Sequence, residues 1–94
     1  MKEHTHWLER LRDQADLSGE TGLGFPLVEL AGDRRVLIEH HQGVTRYGRE
    51  KICVKVKYGI VAVNGCGLEL ACMTRQQLII AGRIDSVELH RRRG

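Results

Sequence analysis

Apolar and polar positions alternate along most of the chain from Val36 onward, which is the pattern of half-buried β-strands. The clearest stretch runs from Ile52 to Tyr58, where apolar side chains share one face and Cys53, Lys55 and Lys57 share the other. Eight short strand candidates follow from this pattern: Leu27 to Leu30, Arg35 to His40, Gly43 to Tyr47, Lys51 to Tyr58, Ile60 to Val63, Leu68 to Cys72, Gln77 to Ala81 and Arg83 to Leu89. We therefore predict a mainly β fold, a small antiparallel meander, rolled sheet or sandwich of about seven to eight short strands.

Glycine-containing pairs mark the turns between these candidates. Asn64-Gly65 is the strongest hairpin signal, because both residues tolerate positive φ, and Gly67 after it predicts a bulge. The apolar phase slips between Ile84 and Val87, which predicts a second bulge near residues 85–86. The connections are too short for crossover helices, so we expect strands that are neighbours in sequence to pair antiparallel.

The N-terminal part of the chain has a different pattern. Residues 4–17 place Trp7, Leu8, Leu11 and Ala15 on one stripe at spacings of three and four, which predicts a short amphipathic helix. Three glycines in the next few residues then break regular structure before Pro26. The expected organisation is a helix and glycine-rich linker over residues 1–24, a β-domain over 25–90 and a basic tail over 91–94.

Composition and charge narrow the class of protein. The 94 residues fit one domain, and with 41% hydrophobic but only 4% aromatic residues the core must be built from Val, Ile and Leu. A lone monomer of this kind is marginally stable, so pairing with another subunit is expected. The net charge of +3 divides into −4 over residues 1–33 and +7 over residues 34–94. The tail of Arg91, Arg92 and Arg93 is either a solvated terminus or a contact for phosphate, anionic lipid or an acidic protein surface.

The apolar runs and the N-terminus bear on where the protein is located, and the cysteines bear on its redox state. No run approaches the roughly 20 apolar residues that span a bilayer, and the charged N-terminus is unlike a secretory signal, so we expect a cytoplasmic protein. Cys53, Cys66 and Cys72 are an odd number without metal-ligand spacing, which predicts reduced thiols. Cys72 shares the phase of Leu68 and Leu70 and is therefore expected to be buried.

Candidate chemistry is scarce. Neither Ser18 nor Ser86 lies in a nucleophile motif, and no phosphate-binding glycine loop is present. His40 and His41 are adjacent strand residues that point to opposite faces, so they do not suit one metal ion. We expect no catalytic site, cofactor or metal. The main alternative is a small basic β-barrel that binds RNA or single-stranded nucleic acid, although only Tyr47 and Tyr58 could stack bases within the β-region. A third interpretation is a module that binds a small ligand or a metal.

The segment from Val36 to Val44 resembles the YabP/YqfC family of sporulation proteins in endospore-forming bacteria, with its closest likeness to the YqfC branch. Members of that branch carry a strand that ends in Ile-Glu-Asn-His, followed by a basic residue, glycine and an apolar residue. Glu39, His41 and Gly43 are among the positions that keep this pattern. Two depart from it, since His40 stands where the family usually has asparagine and Gln42 where it usually has a basic residue.

A second phrase, from Leu78 to Val87, is also similar to the family ending, with Gly82, Arg83 and Ile84 in place, and the likeness covers about residues 25–89. We interpret Gly43 and Gly82 as positions where the backbone conformation requires glycine. The resemblance implies a non-enzymatic protein required for endospore formation. It also implies a partnership with a YqfD-like membrane-anchored sporulation protein, at the cytoplasmic face of a membrane.

The interpretation from sequence is therefore a protein-binding β-domain, with self-association into an oligomer and peripheral membrane contact as further expectations. Exposed strand edges would suit such assembly. The candidate contact residues are Glu39, His41, Arg46, Arg83, Arg91, Arg92 and Arg93.

Overall fold

The computed structural model describes residues 25–92, which form six β-strands. Their bounds are β1 Leu27–Ala31, β2 Arg35–Glu39, β3 Val44–Tyr47, β4 Lys51–Val56, β5 Gly59–Met73 and β6 Gln77–Arg91. The prediction of a mainly β, antiparallel fold is confirmed. The predicted N-terminal helix lies outside the described residues. Between residues 25 and 92, no helix has the length and apolarity to cross a membrane.

The strands form one open sheet in the order β1-β2-β6-β5-β4-β3, and every neighbouring pair is antiparallel. The expectation that neighbours in sequence would pair holds for four of the connections. It is wrong for β2 and β3, because β2 pairs instead with the first part of β6, from Gln77 opposite Glu39 to Ala81 opposite Arg35. The sheet is therefore not a simple meander.

The sheet is strongly curled, because side chains from strands that are not neighbours share one core. Val36 and Ile38 of β2 lie in the same buried cluster as Ile52 and Val54 of β4, although β6 and β5 separate these strands in the sheet. The cluster is built from aliphatic residues: Val36, Ile38, Ile52, Val54, Val56, Val61, Val63, Leu68, Leu78, Ile80 and Ile84. The alternation predicted for β4 is confirmed, with every second side chain buried.

Two long strands replace four of the short ones expected from the sequence. β5 joins the candidates on either side of Asn64-Gly65, and β6 joins those on either side of Gly82, which reduces eight strands to six. The hairpin predicted at Asn64-Gly65 is wrong. Asn64 lies opposite Ser86 within the sheet, so pairing with β6 overrides the local turn preference.

Bulges bend these two strands where the sheet curls. The register of β5 against β6 shifts between Asn64 and Gly65 and again between Cys66 and Glu69. Both bulges predicted from the sequence, near Gly67 and near residues 85–86, are thus confirmed. Gly82 has φ of 136°, and a Cβ there would lie 2.7 Å from the carbonyl oxygen of Gly67, so this position requires glycine.

Cys72 is exposed, so the prediction that it is buried is wrong. The cause is a further register shift between Leu70 and Cys72, which takes Cys72 out of the phase of the buried Leu68. All three cysteines are free, and Cys66 is also exposed.

Candidate functional site

The link between β2 and β3, residues 40–43, connects distant parts of the curled sheet. The His40 amide donates to the Gln76 carbonyl oxygen at 2.6 Å, in the turn between β5 and β6. Further along, Gln42 donates to the Lys55 carbonyl at 2.7 Å, and the Lys55 amide donates to Gly43 at 2.8 Å. This link therefore ties the turn between β5 and β6 to β4.

His41 lies inside this junction, with 9% of its surface exposed. The Gly43 amide donates to its Nδ1 at 3.0 Å, so Nδ1 must carry a lone pair and not a proton. Its Nε2 lies 2.8 Å from the Thr74 carbonyl oxygen, which can only accept, so Nε2 is the protonated nitrogen. The hydrogen bonds thus define a neutral imidazole with both nitrogens in use, and we call this arrangement the His41 clasp (His41, Gly43 and Thr74).

The turn between β5 and β6 is held by its own side chains. The Thr74 hydroxyl oxygen accepts from the Gln76 and Gln77 amides at 3.3 and 3.1 Å and lies 3.2 Å from the Gln77 carbonyl. The Gln77 side chain in turn donates to Glu39 at 3.2 Å, across the β2–β6 pair. Glu39 and His41, two of the positions that keep the family phrase, therefore both contact the start of β6 or the turn before it.

His40 has a φ of 63°, in the left-handed region that asparagine and glycine tolerate better than other residues. Asparagine, which the resembling phrase has at this position, would adopt this conformation more easily than histidine. We expect His40→Asn to raise the free energy of unfolding by about 0.5 kcal/mol, because the backbone conformation becomes easier to adopt. Urea denaturation measures the change.

The comparison variant is His40→Val, since a β-branched residue resists positive φ and should lower the stability by about 1–2 kcal/mol. The His40 side chain is exposed and its hydrogen bond is made by the backbone, so neither substitution removes a side-chain contact of the core. Equal stability of the two variants would contradict a left-handed conformation at residue 40.

The arginines predicted to contact a partner are exposed but do not form one cluster. Arg46 lies on β3, at one edge of the sheet. Arg83 lies on β6 and pairs with Asp85 at 3.4 Å. The guanidinium of Arg91 lies 5.2 Å from the centre of the Tyr58 ring, and Arg92 is exposed beside it. Arg93 lies outside the described residues.

A polar row crosses the face of the sheet opposite the core. The His90 ring hydrogen-bonds to Glu88 at 3.1 Å, and the Asn64 amide donates to the Ser86 hydroxyl at 3.0 Å. The hydrogen bond from His90 is the main cause that lowers the pKa of the Glu88 carboxyl, with smaller contributions in the same direction from Asn64 and Lys51. Glu88 therefore stays charged to a lower pH than an isolated glutamate.

Sequence reasoning missed Thr74 and Gln77. A threonine between two strand patterns is a signal of a turn held by its hydroxyl, and this signal was present in the sequence. The pairing of Thr74 with His41, 33 residues away, has no such local signal. Within residues 25–92, no group of three or more His, Cys, Asp or Glu side chains is placed to hold a metal ion.

A model of the YabP family matches residues 26–94, which include every strand of the sheet. No curated protein and no solved structure matches the chain.

Proposed function

The chain belongs to the YabP family over residues 26–94, and from this premise we propose that it is a sporulation protein that acts by binding other proteins. The family match carries the proposal, because it covers the whole described sheet and not a short motif. Within the family, the phrases around Glu39 and Gly82 favour the YqfC branch. The proposed role is a non-enzymatic one that is required for endospore formation.

The proposed partner is a YqfD-like membrane-anchored sporulation protein, at the cytoplasmic face of a membrane. This partner is taken from the family resemblance. The charge distribution is compatible with it, because residues 34–94 carry an excess of seven positive charges. Exposed arginines at separate places on the domain, such as Arg46 and Arg91, would allow contact with an acidic protein surface or with anionic lipid beside it.

Contacts within the domain favour protein binding over the alternatives. The one strongly buried histidine of the described region, His41, uses both ring nitrogens to hold the backbone, so it is not available as a general base in this arrangement. Base stacking has little support, because Arg91 lies over the Tyr58 ring and Lys57 lies 4.6 Å from the centre of the Phe25 ring. Tyr47 is exposed, but it lies alone at the end of β3.

The test in cells is deletion of the chain from an endospore-forming bacterium that encodes it, followed by a count of heat-resistant spores. We expect a severe loss of spores that the wild-type chain restores. Normal sporulation of the deletion strain would refute the proposed role.

The test of partnership uses the purified full-length chain and the soluble part of a YqfD-like membrane protein from the same bacterium, with the mass measured by light scattering. We expect a complex that survives moderate salt and that Arg46→Glu weakens. Arg75→Glu is the matched control, because Arg75 is an exposed arginine outside the predicted contact set. Salt-sensitive binding to generic RNA, without a protein complex, would instead favour the nucleic-acid alternative.

A further inference from the structure

The second half of β6, residues 85–91, is a sheet edge, and we call it the β6 edge. On one side it pairs with β5, from Ser86 opposite Asn64 to Arg91 opposite Gly59. On the other side, β2 pairs with β6 only as far as Ala81, and the last contacts come from the β1–β2 turn to Gly82 and Ile84. Beyond Ile84, no strand of the described part of the chain pairs with this side of β6.

The ladder geometry shows which backbone groups of the β6 edge point away from β5. The Arg92 amide donates to the Tyr58 carbonyl at 2.8 Å, so it points toward β5. Because backbone groups alternate in direction along a strand, the amides of Glu88 and His90 also face β5, and those of Val87, Leu89 and Arg91 face outward. Three consecutive outward positions give a regular template for another strand.

The side chains along this edge include an exposed apolar residue between two polar ones. Leu89 is 58% exposed, although it lies opposite the fully buried Val61 in the sheet. Glu88 and His90 flank it on the opposite face. A single exposed leucine is common on protein surfaces, so it is the row of outward-facing amides beside Leu89 that marks this edge as a place where another strand can pair.

We propose that the β6 edge pairs antiparallel with the same edge of a second copy of this chain, with Leu89 opposite its counterpart. In this register Val87 of each copy faces Arg91 of the other, so all the outward-facing residues form hydrogen-bonded pairs and each pair exchanges two backbone bonds. On the other face, Glu88 of each copy lies opposite His90 of the other. The arrangement is isologous, as a two-fold symmetric dimer requires.

Charge complementarity favours this register over the one centred on Glu88. A shift that centres the pair on Glu88 places two glutamates directly opposite each other, which is destabilising. The proposed register instead gives two opposite-charge or hydrogen-bonded pairs of Glu88 with His90. Within one chain Glu88 and His90 hydrogen-bond to each other at 3.1 Å, and in the dimer each exchanges this partner for its counterpart on the other copy.

The other edges of the sheet are less suited to pairing. β3 has only four residues, and its register against β4 shifts between Val44 and Arg46, which interrupts a regular edge. β1 has five residues, and Glu29 at its centre is a buried carboxylate, a feature that opposes strand addition. The β6 edge is longer than either.

The contact area of one strand pair is small, less than the roughly 1,200 Å² of a standard interface, so we expect a weak dimer that depends on concentration. The inference deepens the proposed protein-binding function by naming a second copy as a partner. It is tested on the purified chain alone, so its outcome is independent of the spore count and of the membrane partner.

The test is sedimentation equilibrium of the full chain across a range of concentrations. We expect the wild type to shift from monomer toward dimer, and both Leu89→Lys and Leu89→Pro to remain monomeric. Proline at this position removes an outward-facing amide and leaves the ladder with β5 intact. Circular dichroism should therefore show the same sheet in both variants, and Leu89→Lys keeps the test valid if the proline variant fails to fold.

Leu30→Lys is the matched control, because Leu30 is an exposed leucine (48%) on the β1 edge, and this variant should dimerise like the wild type. Glu88→Lys should weaken the dimer by about tenfold, and a second change, His90→Glu, should restore it. A wild type that stays monomeric at every concentration, or a dimer lost in Leu30→Lys but kept in Leu89→Lys, would overturn the proposal.

Discussion

Gly65→Ala is expected to unfold most of the protein at ordinary temperature. A Cβ at this position would overlap the carbonyl oxygen of Arg83 on the neighbouring strand and would lie 3.1 Å from a Leu68 methyl carbon. Relief requires β5 and β6 to separate where both strands bend, which disrupts backbone pairing and core packing together. We expect a loss of more than about 3 kcal/mol, a large part of the stability of a small domain.

The measurement is urea denaturation followed by circular dichroism, with Gly32→Asn as control. Gly32 has φ of 60° in the β1–β2 turn, and a Cβ there would meet nothing within 4 Å. Asparagine tolerates this conformation, so the control should change the stability by no more than about 0.5 kcal/mol. If Gly65→Ala unfolds at the same urea concentration as the wild type, the close approach of β5 and β6 at this point is wrong.

Local patterns in the sequence were enough to locate the shorter strands. The alternation around Val54 and the turn glycines gave β1 to β4 within two residues of their observed bounds, because burial on one face imposes a period of two. A slip of the same alternation predicted the bulge near residues 85–86 of β6, and the second glycine after Asn64 predicted the one near Gly67 of β5.

These local patterns do not predict which distant strands pair with each other. Asn64-Gly65 has the composition of a hairpin turn, yet Gly65 is needed for the approach of β6 and not for a turn. The pairing of β2 with β6 joins segments about 40 residues apart, and adjacency in sequence indicated β3 instead. The merged strands and the exposure of Cys72 follow from such contacts.

At the candidate site, too, the sequence located residues but did not predict the contacts that they make. The sequence and the family resemblance singled out Glu39 and His41, but they offered these residues as partner contacts. In the structure Glu39 bonds to Gln77, and His41 is buried with both nitrogens engaged, so each has a clear structural task. Partner binding by these two residues stays a prediction, and the exposed Arg46 and Arg91 are better placed for it.

His41→Ala is expected to lower the free energy of unfolding by about 2–4 kcal/mol. The substitution removes both hydrogen bonds of the clasp, leaves the Gly43 amide and the Thr74 carbonyl in a partly buried site without their partner, and creates a void. His41→Asn should recover only part of the loss, because its shorter amide can replace one of the two bonds at most. Thermal and urea unfolding measure both variants.

His90→Ala is the matched control, because His90 is an exposed histidine whose hydrogen bond to Glu88 lies at the surface. Its effect should stay within about 0.5 kcal/mol at concentrations where the chain is monomeric. The comparison also separates the two roles of His41. If His41→Ala folds with wild-type stability yet no longer binds a sporulation partner, then His41 is a contact residue and the clasp contributes little. If stability and binding fall together and Arg46→Glu weakens binding alone, then His41 acts by holding the β2–β3 link in place and the contact lies on the exposed edge.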